Sequence, residues 1–428
     1  MRKRLRMASA AVLALALATA ACGDDDDDVG SSDTTADGAA PEGTDATATT
    51  EASDGTDASD STEGADTTEA TDGTSAGGTA GGECEGSDPV TLQLQWFIQA
   101  QFGGYYAALD QGYFEDQCLD VTIAEGGVDI VPQQALADGQ ADFAIAWVPK
   151  ALQTREQGAD IVNIAQIFQR SGTLQVSFAD AGIESPADFA GKNIGNWGFG
   201  NEYEIFAALA SADLDPAADV TLVQQQFDMA ALLAGDIDAA EAMTYNEYAQ
   251  VLEAENPETG ELYQPEDFNV ISYEEAGVGM LQDAIWADAA KLESDAEYRD
   301  IAVRFVAASI QGWAYCRDDP EACRDIVVAA GSQLGDSHQL WQMNEVNRLI
   351  WPAPDGIGVL DVEAWDRTVQ IAQDTPNLEG ATVLSAPPTD GAYTTDIATE
   401  AIALLGDSID TTGESFEPIE VTLEPGGA

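Results

Sequence analysis

Apolar residues recur in short runs from about residue 88 onward, and the spacing within those runs changes along the chain. Short apolar runs rich in β-favouring residues predict strands at 90–95, 119–124, 143–147, 161–168 and 174–178. A second set follows at 192–197, 220–224 and 239–243, with helical segments at 202–212 and 229–233 between them. After a strand at 268–272 the chain returns through another apolar run at 280–287. From residue 294 the spacing turns helical, over 298–315, 322–331, 339–349, 362–373 and 395–405. Such alternation argues an α/β fold with mixed, mostly parallel sheets. The folded stretch exceeds one typical domain, and two extended crossings near 174–181 and 272–281 bracket its second strand set. We therefore expect two lobes joined by two crossover strands. The first takes residues 88–178 and the helical return 276–410, the second takes 179–275, and a ligand binds between them.

The flanks are of different material. Arg2, Lys3, Arg4 and Arg6 precede an apolar run at 8–21, and Cys22 follows it. A basic start and a short apolar run predict an export signal over residues 1–21, too short to span a bilayer stably. Ala20-Ala21-Cys22 looks like a bacterial lipobox, with Thr19 where leucine is usual. That likeness implies a lipid on Cys22 and anchoring to the outer face of the cell membrane. Residues 22–87 are almost free of aromatic and branched apolar side chains, so they are expected to form a disordered acidic tether. Its reach is on the order of 40–45 Å by coil scaling. Residues 411–428 read as an acidic tail.

Charge removes whole classes of function. The chain has 78 acidic side chains against 15 basic ones, a formal net charge of −63. Nucleic-acid binding, which needs clustered Lys and Arg, is excluded, and an anionic ligand is disfavoured unless a local basic pocket exists. Four cysteines remain beyond Cys22, an even number in an exported chain. Cys84 and Cys118 each precede one of two neighbouring strands, so a bridge between them is expected, contributing about 3–4 kcal/mol. Cys316 and Cys323 flank a helical joint that a local bridge could staple. These are not zinc spacings, and neither metal, cofactor nor catalytic residue is expected.

Candidate chemistry concentrates at residues 94–106, Leu-Gln-Trp-Phe-Ile-Gln-Ala-Gln-Phe-Gly-Gly-Tyr-Tyr. A strand there runs into an aromatic, amide-rich loop, placed at the carboxyl end of the sheet where open α/β folds bind ligands. The loop offers Trp96, Phe97, Gln99, Gln101 and Phe102, with no Lys or Arg, and Tyr105 follows in the first helix. Flat faces and neutral hydrogen-bonding groups suit a planar, uncharged heterocycle. Other loops expected to face the cleft add Trp147, Trp197, Phe199, Asn201, Glu202, Asp228, Tyr245, Asn246 and Glu247, with Lys150 the one base close by. Stacking would contribute about 1–3 kcal/mol per ring, and carboxylates and amides would read ring N–H and C=O groups. Structural roles compete at several of these positions. Asn201 with Glu204 fits a helix-capping box, Glu202 suits a helix start electrostatically, and at least one of Tyr105 and Tyr106 should pack on the sheet. His338, the single histidine, is expected at the surface.

Read in order, Trp96, the run at 101–106, Gly112-Tyr113-Phe114, Leu119-Asp120-Val121, Gly126-Gly127, the run at 139–143 and the run at 191–195 resemble periplasmic-binding-protein components of ABC importers. More narrowly, they resemble the group containing thiamine-pyrimidine precursor, riboflavin, sulfonate and nitrate binders. The resemblance covers about residues 88–400. It implies a type II-like, two-lobed fold and a monomer that passes a small-molecule ligand to an ABC permease and its ATPase, closing by a hinge. In the pyrimidine-precursor branch the first loop usually reads Asp-Trp-x-Pro-Asn with a following His. Here Gln95, Ile98, Gln99 and Phe102 stand at the departing positions, closer to the Gln-Phe-Ala-Gly-Tyr-Tyr type of flavin or related heterocycle uptake. A fungal thiamine pyrimidine synthase shares the fold family and would need pyridoxal phosphate on a Lys, a sacrificial His and an iron-associated cysteine cluster. This chain has Lys150, Lys192 and Lys291, but its His338 lies outside the Trp96 loop and it has no such cluster. The resemblance therefore implies binding and not catalysis, with a sulfonate or nitrate binder or a lipid-anchored sensor as the alternatives.

Overall fold

In the computed structural model, which describes Cys84, residues 86–198 and residues 200–427, the first apolar run forms β1 (Asp88–Gln93). The expected signal, Cys22, most of the tether and Phe199 lie outside the described residues. After β1 come α1 (Gly103–Asp110), α2 (Tyr113–Asp116), β2 (Leu119–Ala124), α3 (Pro132–Ala137), β3 (Phe143–Trp147), α4 (Val148–Glu156) and β4 (Ile161–Gln166). The chain then enters the second lobe with β5 (Thr173–Phe178), β6 (Asn193–Asn196), α5 (Tyr203–Ser211), β7 (Thr221–Gln224), α6 (Ala230–Leu233), β8 (Ala240–Met243), α7 (Glu247–Leu252) and β9 (Phe268–Ser272). It returns through β10 (Asp283–Asp288). The helical part follows as α8 (Ala289–Ser294), α9 (Ala296–Asp318), α10 (Pro320–Ala330), α11 (Asp336–Ile350), α12 (Val362–Asp374) and α13 (Asp396–Leu405).

The two lobes are built alike. The first sheet has the order β2-β1-β3-β10-β4, parallel among β2, β1 and β3, with β10 antiparallel to both its neighbours. In the second, β8-β5-β9 is antiparallel and β6 pairs in parallel with β7. A single bridge from Ile194 to Ala239 joins these pieces in the order β7-β6-β8-β5-β9. In each lobe the fourth strand is the one that has crossed over. Sequence pattern assigned residues up to 178 to the first lobe. Because 173–178 hydrogen-bond to β8 and β9, the crossings fall instead at 167–172 and 273–282.

Helices cover the sheets because their apolar faces have nowhere else to go. In the first lobe Phe143 of β3 stacks on Phe305 of α9 at 4.5 Å, and Phe114 stacks on the other side at 5.3 Å. Cys84 is bonded to Cys118 beside the start of β1, and Cys316 to Cys323 across the α9–α10 joint. Residues 411–427 do not hang free as an acidic tail; they lie along α11, with Thr411 buried and Phe416 against the core.

α1 and α9 approach so closely that their glycines are obligatory. A Cβ on Gly104 would fall inside the Trp313 indole, and one on Gly312 would overlap the Gly104 carbonyl. Ala normally gains about 1 kcal/mol over Gly in a helix. Here the overlap is with backbone, which cannot rotate away, and overpacking of about 1–3 kcal/mol or more dominates. Gly312→Ala should therefore lower unfolding stability by about 2 kcal/mol in denaturant titration; an unchanged or raised midpoint would refute the close approach.

Candidate functional site

β10 begins with a buried carboxylate, placed beside the last residue of β3. Asp283 is 2% exposed and accepts three side-chain hydrogen bonds: Gln95 Nε2 at 2.6 Å and Trp147 Nε1 at 2.8 Å on Oδ1, and Gln101 Nε2 at 3.0 Å on Oδ2. Gln99 Nε2 donates in turn to Gln101 Oε1 at 2.6 Å. The aromatic–amide loop is thus gathered onto the return strand. Gly126 admits this fold of the chain, since a Cβ there would strike the backbone of Gln95 and Trp96. Lys150, on α4, places its ammonium 5.0 Å from the centre of the Trp147 ring and within electrostatic reach of Glu241, Glu202 and Asp283.

The second lobe faces this cluster with rings and acids. Phe227 is 4.9 Å from Trp96 and 6.1 Å from Trp197, so three rings span the two lobes. Glu241 of β8 is fully buried and accepts from Trp197 N at 2.8 Å through Oε2, while its Oε1 and the Trp197 indole Nε1 have no partner. Tyr105 Oη, Gln339 Nε2 and Gln342 Nε2 are also buried without partners. Buried polar atoms are nearly always satisfied, so these atoms keep hydrogen-bonding capacity to spare. Tyr245 is buried against Phe168, close to Asp283 and Glu247.

Several candidates serve the fold. Phe102 is fully buried in the first-lobe core. Phe97 points outward, 49% exposed, edge-on to Trp96. Asp228 is exposed and accepts from Ala230 N at 2.9 Å at the start of α6. Glu247 accepts from Met243 N at 2.9 Å, which fixes the turn carrying Tyr245 and Asn246. The capping box read at Asn201 and Glu204 does not form. Asn201 Nδ2 donates to Gly198 O, Glu202 closes on Gly200 N, and Glu204 is buried beneath the second crossing, accepting from Met280 N at 2.7 Å. His338 is not at the surface either. It is completely buried between Glu253 and Asn246, because its face of α11 meets the second lobe. Asp283 and Glu241 were missed, and in the loop at 225–228, expected to face the cleft, it is Phe227 and not the nominated Asp228 that meets Trp96 and Trp197. A lone acid inside an apolar strand was the available signal for the first two, since such groups are rarely buried without a purpose. Among the described residues no group of three His, Cys, Asp or Glu side chains is placed to hold a metal ion.

Burial governs the electrostatics. It pushes Asp283 up from 3.8 to about 7, against the lowering effect of its three donors and of Lys150. Glu204 rises likewise to about 7, Glu241 rises well above the usual carboxylate range, and burial pushes Lys150 down to about 8. A carboxylate whose pKa is raised on folding contributes most below its unfolded value and loses that contribution as pH rises through the folded one. Solute-free protein should therefore lose stability between about pH 4 and 7, and Asp283 should account for about 2 kcal/mol of the loss between pH 5 and 8. Asp283→Asn should flatten that part of the unfolding profile; equal slopes for both proteins would contradict the assignment.

Residues 99–323, more than half of the chain, match the family described as NMT1/THI5 like. The chain is 23% identical over 292 residues to the formylaminopyrimidine-binding protein of Halalkalibacterium halodurans, covering 67% of this chain and 84% of that one. It is 26% identical over 309 residues to the riboflavin-binding protein RibY of Chloroflexus aurantiacus, covering 70% and 82%. Among solved structures, the ligand-binding component of an ABC-type import system from Staphylococcus aureus aligns with TM-score 0.53 and 11% identity over 74% of this chain and 99% of that one. The periplasmic aliphatic sulphonate binding protein SsuA of Escherichia coli aligns with TM-score 0.50 and 16% identity over 66% and 85%. These neighbours share the two-lobed periplasmic-binding-protein fold, and the chain belongs to the NMT1/THI5-like family.

Proposed function

We propose that the protein is the extracytoplasmic solute-binding component of an ABC importer and that it captures a small planar heterocycle between its lobes. The observation that carries this reading is the row of Trp96, Phe227 and Trp197 across the two lobes, beside buried polar atoms without partners. Rings supply sequence-tolerant stacking. Glu241 Oε1 would accept a ring N–H or amino group, and Trp197 Nε1 with the two glutamine amides would donate to ring nitrogen or carbonyl groups. Two relatives whose names specify formylaminopyrimidine and riboflavin support a ligand of this shape. An oxyanion fits less well, since Lys150 stands among Glu241, Glu202 and Asp283. In this reading Cys22 carries the lipid anchor, the protein works as a monomer, and a permease with its ATPase receives the solute.

A binding role is also favoured over a synthase that consumes a histidine. His338 is buried with both ring nitrogens engaged, by Glu253 and Asn246.

Thermal unfolding with riboflavin, a formylaminopyrimidine, taurine and nitrate tests the reading. A heterocycle at 100 times its Kd should add about 2.7 kcal/mol to stability. Trp96→Ala should weaken its binding about tenfold or more. A shift given only by taurine or nitrate would overturn the heterocycle assignment.

A further inference from the structure

α11 lies between the two lobes and presents a different stripe to each. Toward the first lobe, Gln339 Oε1 accepts from Ala100 N at 2.6 Å and Gln342 Oε1 from Gln101 N at 3.3 Å, while the Met343 methyl fills the space over Gly103. The solute loop thus hangs from this helix by its own backbone. Toward the second lobe point His338, Trp341 and Glu345, three and four residues apart and so on one helical face. Trp341 Nε1 donates to Thr244 O at 3.0 Å, and Thr244 Oγ1 donates to Glu345 Oε2 at 2.9 Å. His338 Nε2 meets Asn246 Oδ1 at 2.9 Å and its Nδ1 meets Glu253 Oε2 at 3.0 Å. Asn246 Nδ2 donates to Glu247 Oε1, so this contact also braces the turn that presents Tyr245 to the cleft.

A second observation concerns residues 411–427, which run antiparallel to α11 and end on the opposite lobe. Thr412 O accepts from Ala353 N at 2.8 Å, Ile419 N donates to Asn344 Oδ1 at 2.9 Å, and Glu424 N donates to Ser337 Oγ at 3.1 Å. At the far end Gly335 N donates to Gly427 O at 2.6 Å, and Gly426 N donates to Glu253 O at 3.2 Å. Leu423 packs, with Trp341, against the core of the second lobe. One strap therefore ties the start of α11 to the end of α7.

We propose that α11, locked by His338 and by the 411–427 strap, is a clasp that couples the loop at 96–102 to the second lobe and sets how firmly the cleft holds its solute. His338 is in this account a positioning residue, acting through Asn246 and Glu247 without touching the solute. The coupling is a physical one, because the loop and the second lobe bond to neighbouring stripes of the same helix. Its consequence for solute retention rests on the solute-binding reading, but its consequence for lobe opening does not.

The full-length protein decides the matter, compared with His338→Gln and, in case that variant fails to fold, Leu423→Ser in the strap. Without solute, both should keep cooperative unfolding, show a larger radius of gyration in small-angle scattering, and exchange the amides of Ala100 and Gln101 about fivefold faster or more. A lowered midpoint with unchanged scattering and unchanged exchange at Ala100 and Gln101 would reduce His338 to a local packing group and overturn the clasp. With riboflavin as probe, the dissociation rate should rise about fivefold or more, the usual scale of coupling between sites. An unchanged rate in variants that bind riboflavin also overturns the proposal. A wild-type protein that binds neither riboflavin nor formylaminopyrimidine would sink the heterocycle assignment alone, leaving scattering and exchange to judge the clasp.

Discussion

A carboxylate held inside an apolar strand organises the mouth of the first lobe. Asp283 draws Gln95, Gln101 and Trp147 onto one pair of oxygens, and these three come from the end of β1, the following loop and the end of β3. Hydrogen bonds to a charged group contribute about 1.5–3 kcal/mol each, enough to hold an irregular loop that has no strand partner of its own. The cost is desolvation, visible in the raised pKa of Asp283. Folding stability alone would favour an apolar residue there. Two such buried acids, Asp283 in one lobe and Glu241 in the other, fit the proposed solute site better than they fit a purely structural role.

Cations are scarce in this chain, with 15 Lys and Arg against 78 acids, and among the described residues most of the arginines reach far along the sequence. Arg304 ties Asp88 at the start of β1 to α9, Arg299 pairs with Glu400 on α13, and Arg367 pairs with Glu274 in the second crossing. Arg170, in the first crossing, donates to the carbonyl of Arg348 in the last turn of α11 and to those of Trp351 and Pro352 just beyond it. Arg317 reaches Asp410 and lies over the Trp351 ring at 4.7 Å. Most guanidinium groups therefore join segments distant in sequence, and several are near the crossings. Surface ion pairs of this kind contribute little individually. Two of the arginines, Arg170 and Arg367, bond at the crossings themselves. Lys150 stands apart from these arginines, with its ammonium over the Trp147 ring and near Glu241, Glu202 and Asp283.

The strands and long helices were legible because their apolar spacing is regular. α9 and α11 extend past their expected ends by only a few residues, with Asp295 capping the start of α9, while α12 starts where expected, after its Asp361 cap. The loop at 96–102 was legible as a site because its residue types are unusual after a strand. What could not be read was partnership across distance. Glu204 looked like half of a local capping box, yet its oxygen is taken by Met280, 76 residues away. His338 looked like a surface residue until its helix face met Glu253 and Asn246, 85 and 92 residues earlier. Residues 411–427 looked like an acidic tail, because their contacts are mostly backbone hydrogen bonds, which leave no trace in composition. Asp283 and Glu241 were visible as single acids in apolar runs, but their meaning depended on which strands lie side by side.

The sheet order of the first lobe also bears on how the chain reaches its native state. β3 and β4 are nearly consecutive in sequence, yet β10 lies between them and pairs with both. Until residues 283–288 have been made and brought back, the inner edges of both strands lack their partner. Almost every residue along these strands is buried in the finished sheet, so those edges are apolar as well as unpaired. Such contacts, distant in sequence, slow folding and leave edges open to wrong pairing. The strands of the second lobe, β5 to β9, are contiguous in the chain, so its sheet can be completed before β10 is made. Chain order therefore lets the second lobe assemble as it emerges, while the first waits for a single late strand to enter its middle.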